Sequence, residues 1–216
     1  MNKSIITEAS MEKINPKEIN VLTTRGVLIR DAAQQLFFKH GFDETSLEMI
    51  INETGGSRRS IYNEFGNKQG LLLAVVNRQV SKQAETLTII NRSLSAKDAL
   101  NDVCYKFVQG MLSPTIMSLF RLVIQQVVKF PELGEVINQK GRLTGILPLA
   151  DYLAWLVEQK ILDIEDCHFA AQMLIEMAKG PLHTRALLMP DIAVTEAEIL
   201  AQVGSAVDIF LKGHQL

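Results

Sequence analysis

Arg58, Arg59, Ser60, Asn63 and Glu64 place five hydrogen-bonding side chains within seven residues, while Ile61 and Phe65 fall together on the other side of the same helical turn pattern. Polar groups with no core to serve are free to meet a ligand. An arginine can present a two-pronged donor set to guanine O6 and N7, and an asparagine pairs with adenine, so this face suits the edges of bases in a DNA groove. A merely solvated charged face is the ordinary alternative, and flanking signals must decide between them. Other chemistry is thinly represented. His40, His168, His183 and His214 have no paired metal-ligand spacing, and no glycine-rich phosphate loop or nucleophile elbow is present. Asp163, Glu165, Asp166, Cys167 and His168 read as the acidic first turn of a helix, where carboxylates suit the dipole. Cys104 and Cys167 are too few for a disulfide scaffold or a four-ligand zinc site and read as buried free thiols. The expectation is a non-enzyme without metal or cofactor.

The elements that would hold the polar face are signalled in order. Thr45-Ser46 caps a short helix at 47–54, Gly55-Gly56 turns the chain, Ser57 caps a second short helix at 58–65, and Gly66-Asn67 closes it before Lys68 opens a longer one. Two short helices across a glycine turn form a helix-turn-helix, whose second member enters the major groove. Leu28, Ala32, Leu36 and Phe37 on a preceding helix, Leu47, Ile50 and Ile51 on the second, and Ile61 and Phe65 on the third supply three converging apolar faces. Caps, turn and Lys68 together favour DNA over plain solvation.

The remainder also reads as helical, giving an all-α chain with a small N-terminal head and a larger C-terminal body. Of 216 residues 47% are hydrophobic, enough for a substantial core, and the net charge of −2 argues against a non-specific nucleic-acid coat. Residues 1–82 hold eleven Lys/Arg against nine Asp/Glu, and residues 83–216 eleven against fifteen, so the basic bias is local and weak. No signal peptide or apolar run near the ~20 residues of a membrane span is evident, which predicts a cytoplasmic chain with no membrane partner. Helices are expected near 67–92, 97–112, 114–130, 132–140, 142–160, 165–188 and 195–212. Gly180-Pro181 should kink the penultimate one, because proline removes a donor and collides with the carbonyl four residues back. Leu174, Ala178, Leu182 and Ala186 line one stripe of that helix; Ile199, Val203, Ala206, Val207 and Phe210 give a broad stripe on the last. Helices apolar on more than one side need two partners, and a second copy of the chain would supply one. Tyr105, Phe107, Met111, Met117, Phe120, Trp155, Phe169, Met173 and Met177 enrich the middle in aromatic and adaptable side chains. Arg121, in an apolar helix, should pair with Glu176 or anchor an acidic ligand.

The run from Thr24-Arg25 through Ala32-Ala33-Gln34-Gln35-Leu36-Phe37, Gly41–Ser46, Ser57–Lys68 and Leu71-Leu72 resembles the DNA-binding head of the tetracycline-repressor (TetR) family. Leu119–Ile124, Phe130–Leu133 and Gly180–Leu188 look like its AefR/AcrR branch, whose members often repress efflux or stress genes. The resemblance implies a repressor that binds a double-stranded DNA operator as a homodimer and is released by a small apolar or amphipathic effector. It implies base reading by Arg58, Arg59 and Ser60, with Asn63 close by, and phosphate contacts from Thr45, Tyr62 and Lys68. Effectors would enter the middle of the body, near the Met and aromatic residues and Arg121, and the dimer would form through Leu174, Ala178, Leu182, Ile199, Val203, Val207 and Phe210 in a four-helix bundle. The implied division is an arm at 1–20, the head at 21–68, and a ligand-binding and dimerisation domain at 69–216. Arg59 stands where glycine is common, Glu64 where histidine, tyrosine or asparagine is, and Gly56 where a small apolar residue is. An acid near phosphates is repelled unless it accepts from cytosine or pairs with Arg58 or Lys68. The competing class is a helical small-molecule-binding or interaction module whose head no longer reads DNA.

Overall fold

The structure, a computed structural model, describes residues 22–84 and 90–214. The expected N-terminal arm lies outside them. Three helices form the head: α1 (Thr24–His40), α2 (Leu47–Thr54) and α3 (Arg58–Phe65). Each opens on a hydroxyl cap, since Thr23, Ser46 and Ser57 accept from the backbone N–H groups of Gly26, Met49 and Ser60. Gly55, in the left-handed region at φ 64°, ends α2 at no steric cost.

The body follows as α4 (Lys68–Ala84), α5 (Ala96–Met111), α6 (Pro114–Gln126), α7 (Glu132–Gly141), a π-helical turn (Arg142–Ile146), α8 (Leu147–Glu158), α9 (Cys167–Leu188) and α10 (Glu196–His214). The helix expected to reach residue 92 does not, because residues 90–95 are irregular up to the Ser95 cap of α5. The one expected over 114–130 stops at Gln126, and the one expected from 165 begins at Cys167, where Asp166 caps it; Asp163 and Glu165 therefore precede the helix.

Two prolines shape the rest. Pro181 cannot donate to Met177 O. The chain bends at Gly180 (φ 40°, ψ −141°) as expected, and the freed carbonyl accepts from Gln202 Nε2 of α10 at 2.7 Å. A Cβ at Gly180 would lie 2.5 Å from that same nitrogen and displace the Gln202 amide from its bond, while φ 40° is what calls for glycine there. Pro148 likewise lacks the donor that Thr144 O would need, and just ahead of it the helix widens into the π turn. Thr144 Oγ1 bonds back to Lys140 O at 2.7 Å.

Buried apolar side chains form two clusters. The first joins the head (Ile29, Ala33, Phe37, Ile50, Ile61) to α4, α6 and α7 through Leu72, Val76, Leu119 and Leu133. The second is built from α5, α8, α9 and α10 around Leu100, Leu153, Leu174 and Val207. The head's core thus continues well past residue 68. Leu28, expected inside, is 53% exposed; Ile29, one position on, takes the core face of α1 with Ala33 and Phe37.

Candidate nucleic-acid interface and effector cavity

On α3, Arg58, Arg59, Tyr62 and Asn63 are exposed while Ile61 is fully buried, so the stripe that packs the helix also fixes which residues look outward. Arg58 is held by an ion pair with Glu48 of α2. Ser60 is half-buried, its hydroxyl 3.1 Å from that of Ser57, and belongs as much to the cap as to the outer face.

Glu64 does not face outward. Its carboxylate accepts from Thr23 Oγ1 and, at 3.4 Å, from the Thr23 backbone N–H. Thr23 is the cap of α1, so Glu64 ties the recognition helix to the start of the first helix and sits near its positive end. Neither Arg58 nor Lys68 is its partner. Thr45 is likewise turned away from a phosphate role: it is 0% exposed, and its hydroxyl donates to Gly41 O at 2.7 Å and Leu36 O at 3.2 Å, closing the turn between α1 and α2. Lys68 lies 4.4 Å from the Phe42 ring centroid with Nζ 3.3 Å from Asp43 O, and burial pushes its ammonium below the usual lysine range.

The head is bonded to the body beside that lysine. Asp43 accepts from Gln126 Nε2 at 3.2 Å and from Lys129 Nζ at 3.2 Å, bonds that hold its carboxyl below the ordinary value. Phe42 packs edge-on against Phe130 at 5.5 Å. Gln69 on α4 bonds Glu132 on α7, and Lys140, at the end of α7, reaches Asn77 O at 3.2 Å and Ser81 Oγ at 2.6 Å on α4.

Between the two clusters lies a cavity of about 580 Å³. Its walls draw on the first cluster at Ile116, Leu119, Phe120 and Ile137, and on the second at Phe107, Ile146 and Ile175. Of the side chains expected to line a pocket, Phe107, Met111, Phe120 and Met173 do. The others are employed elsewhere. Tyr105 donates to Glu196 at 3.0 Å, Met117 is buried in packing, Trp155 stacks on Tyr152 at 5.7 Å, and Phe169 and Met177 line a separate surface hollow beside α10. Arg121 neither pairs with Glu176 nor faces the cavity. Its Nε donates to Leu187 O at 3.1 Å and Nη2 to Ala186 O at 2.5 Å, so it caps the last carbonyls of α9, whose orphan acceptors and negative end suit a cation. Glu176 pairs instead with Lys179, at 2.7 Å.

Sequence reasoning missed Asn138, Arg142, Thr144 and Gln172 of the cavity wall, as well as Lys140. Gly141, Gly145 and Pro148 were the available signal, since two glycines and a proline within eight residues foretell a disturbed helix.

The residues expected at a dimer seam are inside this chain. Leu174, Ala178, Leu182, Ile199, Val203, Val207 and Phe210 are all buried where α9 and α10 pack on each other and on the second cluster. The large apolar side chains left outside are Phe169, Met173 and Leu188 on α9 and Leu200 and Ile209 (63% exposed) on α10.

Cys104 is buried and its thiol pushed up to about 12 by desolvation; Cys167 is half-buried and also raised. Among the described residues no cluster of His, Cys, Asp or Glu is placed to hold a metal ion, and no single helix is long and apolar enough to cross a membrane.

A helix-turn-helix head on a helical body with an open cavity in it defines a class of DNA-binding regulators. Residues 29–75 match the model of bacterial regulatory proteins of the tetR family, and residues 98–214 match that of the AefR-like transcriptional repressor C-terminal domain. The chain belongs to the TetR family of transcriptional regulators, whose members bind DNA operators and form dimers. The transcriptional repressor ComR of Escherichia coli (strain K12) is 41% identical over 52 residues, 24% of this chain and 25% of ComR. YezE, a transcriptional regulator of Bacillus subtilis (strain 168), is 24% identical over 119 residues, 53% of this chain and 61% of YezE. The matches therefore span less than two thirds of either relative. The crystal structure of a TetR-family regulator from Mesorhizobium loti MAFF303099 superposes with a TM-score of 0.81 at 22% identity, over 89% of this chain and 97% of that one.

Proposed function

We propose that this regulator is a repressor: a dimer sits on a two-fold operator and leaves it when a small apolar or amphipathic molecule occupies the cavity. The position of that cavity is the observation that carries the reading. One wall belongs to the cluster that includes the DNA head, the other to the cluster that bears the exposed apolar face of α9 and α10. A molecule that prefers one spacing of the two walls shifts the heads of a dimer relative to each other, and major grooves ~34–36 Å apart tolerate little such shift.

In this reading Arg59 and Asn63 read bases, Arg58 approaches the groove already paired with Glu48, Ser60 lies at the edge of the reading surface, and Tyr62 and Lys68 hold phosphates. The functional division is a head at 21–68 and a ligand-binding and dimerisation part at 69–216. Two copies meet through Phe169, Met173 and Ile209, which share one hollow between α9 and α10. Efflux or stress genes are the proposed targets, by likeness to the branch. A module that has lost DNA reading is disfavoured, since Glu64, the residue that motivated it, is bonded to Thr23 rather than turned toward phosphates.

The test is a gel shift with DNA upstream of the chain's own gene against excess competitor, followed by footprinting. A protected two-fold site supports the reading; binding no tighter than to competitor refutes it.

A further inference from the structure

The charges around the cavity do not cancel. Arg142, Lys179 and Glu176 are the ionisable groups among its described lining, two cations against one carboxylate. Lys179 Nζ lies 2.7 Å from Glu176 Oε1, which neutralises that pair. Arg142 makes no ion pair or side-chain hydrogen bond among the described residues. It stands on the first position of the π turn, directly after α7, and is exposed on the cavity's rim. The same lining holds amides at Asn138 and Gln172, neutral donors that an oxyanion accepts from, while the Thr144 hydroxyl is already committed to Lys140 O. Behind the mouth the walls are apolar and aromatic, led by Phe107 and Phe120.

We propose that the cavity is built for an amphipathic monoanion, an aromatic or aliphatic body with one carboxylate, sulfonate or phenolate, and that Arg142 receives the charged end. This rests on the reading of the chain as an effector-released regulator and names the chemistry of its effector. The guanidinium offers a planar fork matched to two oxygens of an acid. A neutral apolar guest fills the walls but leaves Arg142, which is exposed, in water without a partner, so it gains nothing from that charge. A cation is repelled, and a small inorganic anion leaves the apolar walls unfilled. A volume of about 580 Å³ suits a molecule of a few fused or linked rings.

Two dyes separate these cases: anilinonaphthalene sulfonate and its uncharged parent, N-phenylnaphthylamine, both read by fluorescence with the full-length protein. The wild type should bind the sulfonate about five-fold more tightly than the parent, the scale of one partly exposed ion pair. Arg142→Gln should bring the ratio close to one by weakening the sulfonate alone, and Arg142→Lys should restore most of it. Met111→Trp, which fills the cavity, should weaken both dyes. A wild-type ratio near one overturns the proposal, as does a ratio that Arg142→Gln leaves unchanged. Undiminished binding of both dyes to Met111→Trp also overturns it, by placing them on the exposed face of α9 and α10. The operator shift described above is measured without dye, so its failure would fault the regulator reading while the dye ratios still report on the cavity.

Discussion

At the scale of single residues, the reading face separates side chains that choose sequence from those that only hold position. Arg59→Ala and Asn63→Ala should each cost ~1–3 kcal/mol on the operator and broaden base preference at one position in a binding-site selection. Lys68→Ala should weaken every sequence alike and reduce the salt slope by about one. Glu64→Ala belongs to a third kind. It removes the acceptor that fixes Thr23, so thermal unfolding should lose ~1 kcal/mol and all DNA should bind more weakly, with selectivity intact. A change in base preference in that variant would contradict the assignment. The polar face itself was legible in the sequence, because Ile61 and Phe65 mark the buried side by spacing alone. The direction of Glu64 was not: it lies three residues from Ile61, on the flank of the buried stripe, and only the arrival of Thr23 from another helix decides which way it turns. Thr45 was missed for a similar reason, since a hydroxyl beside a cap reads the same whether it bonds outward or closes a turn with Gly41.

At the scale of elements, helix starts were legible because Ser46, Ser57, Ser95 and Ser113 each accept the backbone N–H three residues on, a local rule with no tertiary content. Which face of α9 and α10 turns inward was not, because both helices are apolar on two sides and periodicity cannot rank them. Lys140, two residues before the cavity's π turn, is a polar tie between α7 and α4. Compounds that stabilise the wild type and weaken its operator complex should still stabilise Lys140→Met, yet their effect on operator affinity, ~1–3 kcal/mol in the wild type, should shrink toward zero. Equal release in both proteins would remove Lys140 from the route. The corner between α9 and α10 has its own acid limit. Bonds from the Thr195 backbone N–H, Arg185 and the Thr195 hydroxyl hold the Glu198 carboxyl at about 2. A depressed carboxylate stabilises the fold fully above its ordinary value and loses that contribution as pH falls toward the folded one. Glu198→Gln should therefore flatten the acid limb of stability between roughly pH 4.5 and 2 while leaving the neutral region less affected by pH.

At the scale of the whole molecule, two substitutions on one helix should part company. Val203→Asp puts an unpaired charge into the second cluster, where the side chain is 2% exposed, so the chain should fail to fold. Ile209→Asp, on the exposed side of α10, should give a folded monomer by sedimentation that no longer holds its operator. A dimeric Ile209→Asp protein would move the assembly surface elsewhere. The division into two clusters was not legible at all, since it depends on α6 and α7 joining the head's core although they follow α5 in the chain. Near the end of α7 the chain crosses from one cluster to the other through the π turn, and that turn has an angular consequence. A π turn takes up backbone that an α-helix would wind more tightly. Winding the same five residues, Arg142–Ile146, as ordinary α-helix with none removed would swing every side chain after them by about one residue's rotation, ~100°, about the axis of α7, whereas deleting one residue as the turn closes would leave the phase nearly as it is. The winding of this one turn thus sets the phase between the half that meets DNA and the half proposed to meet a second copy.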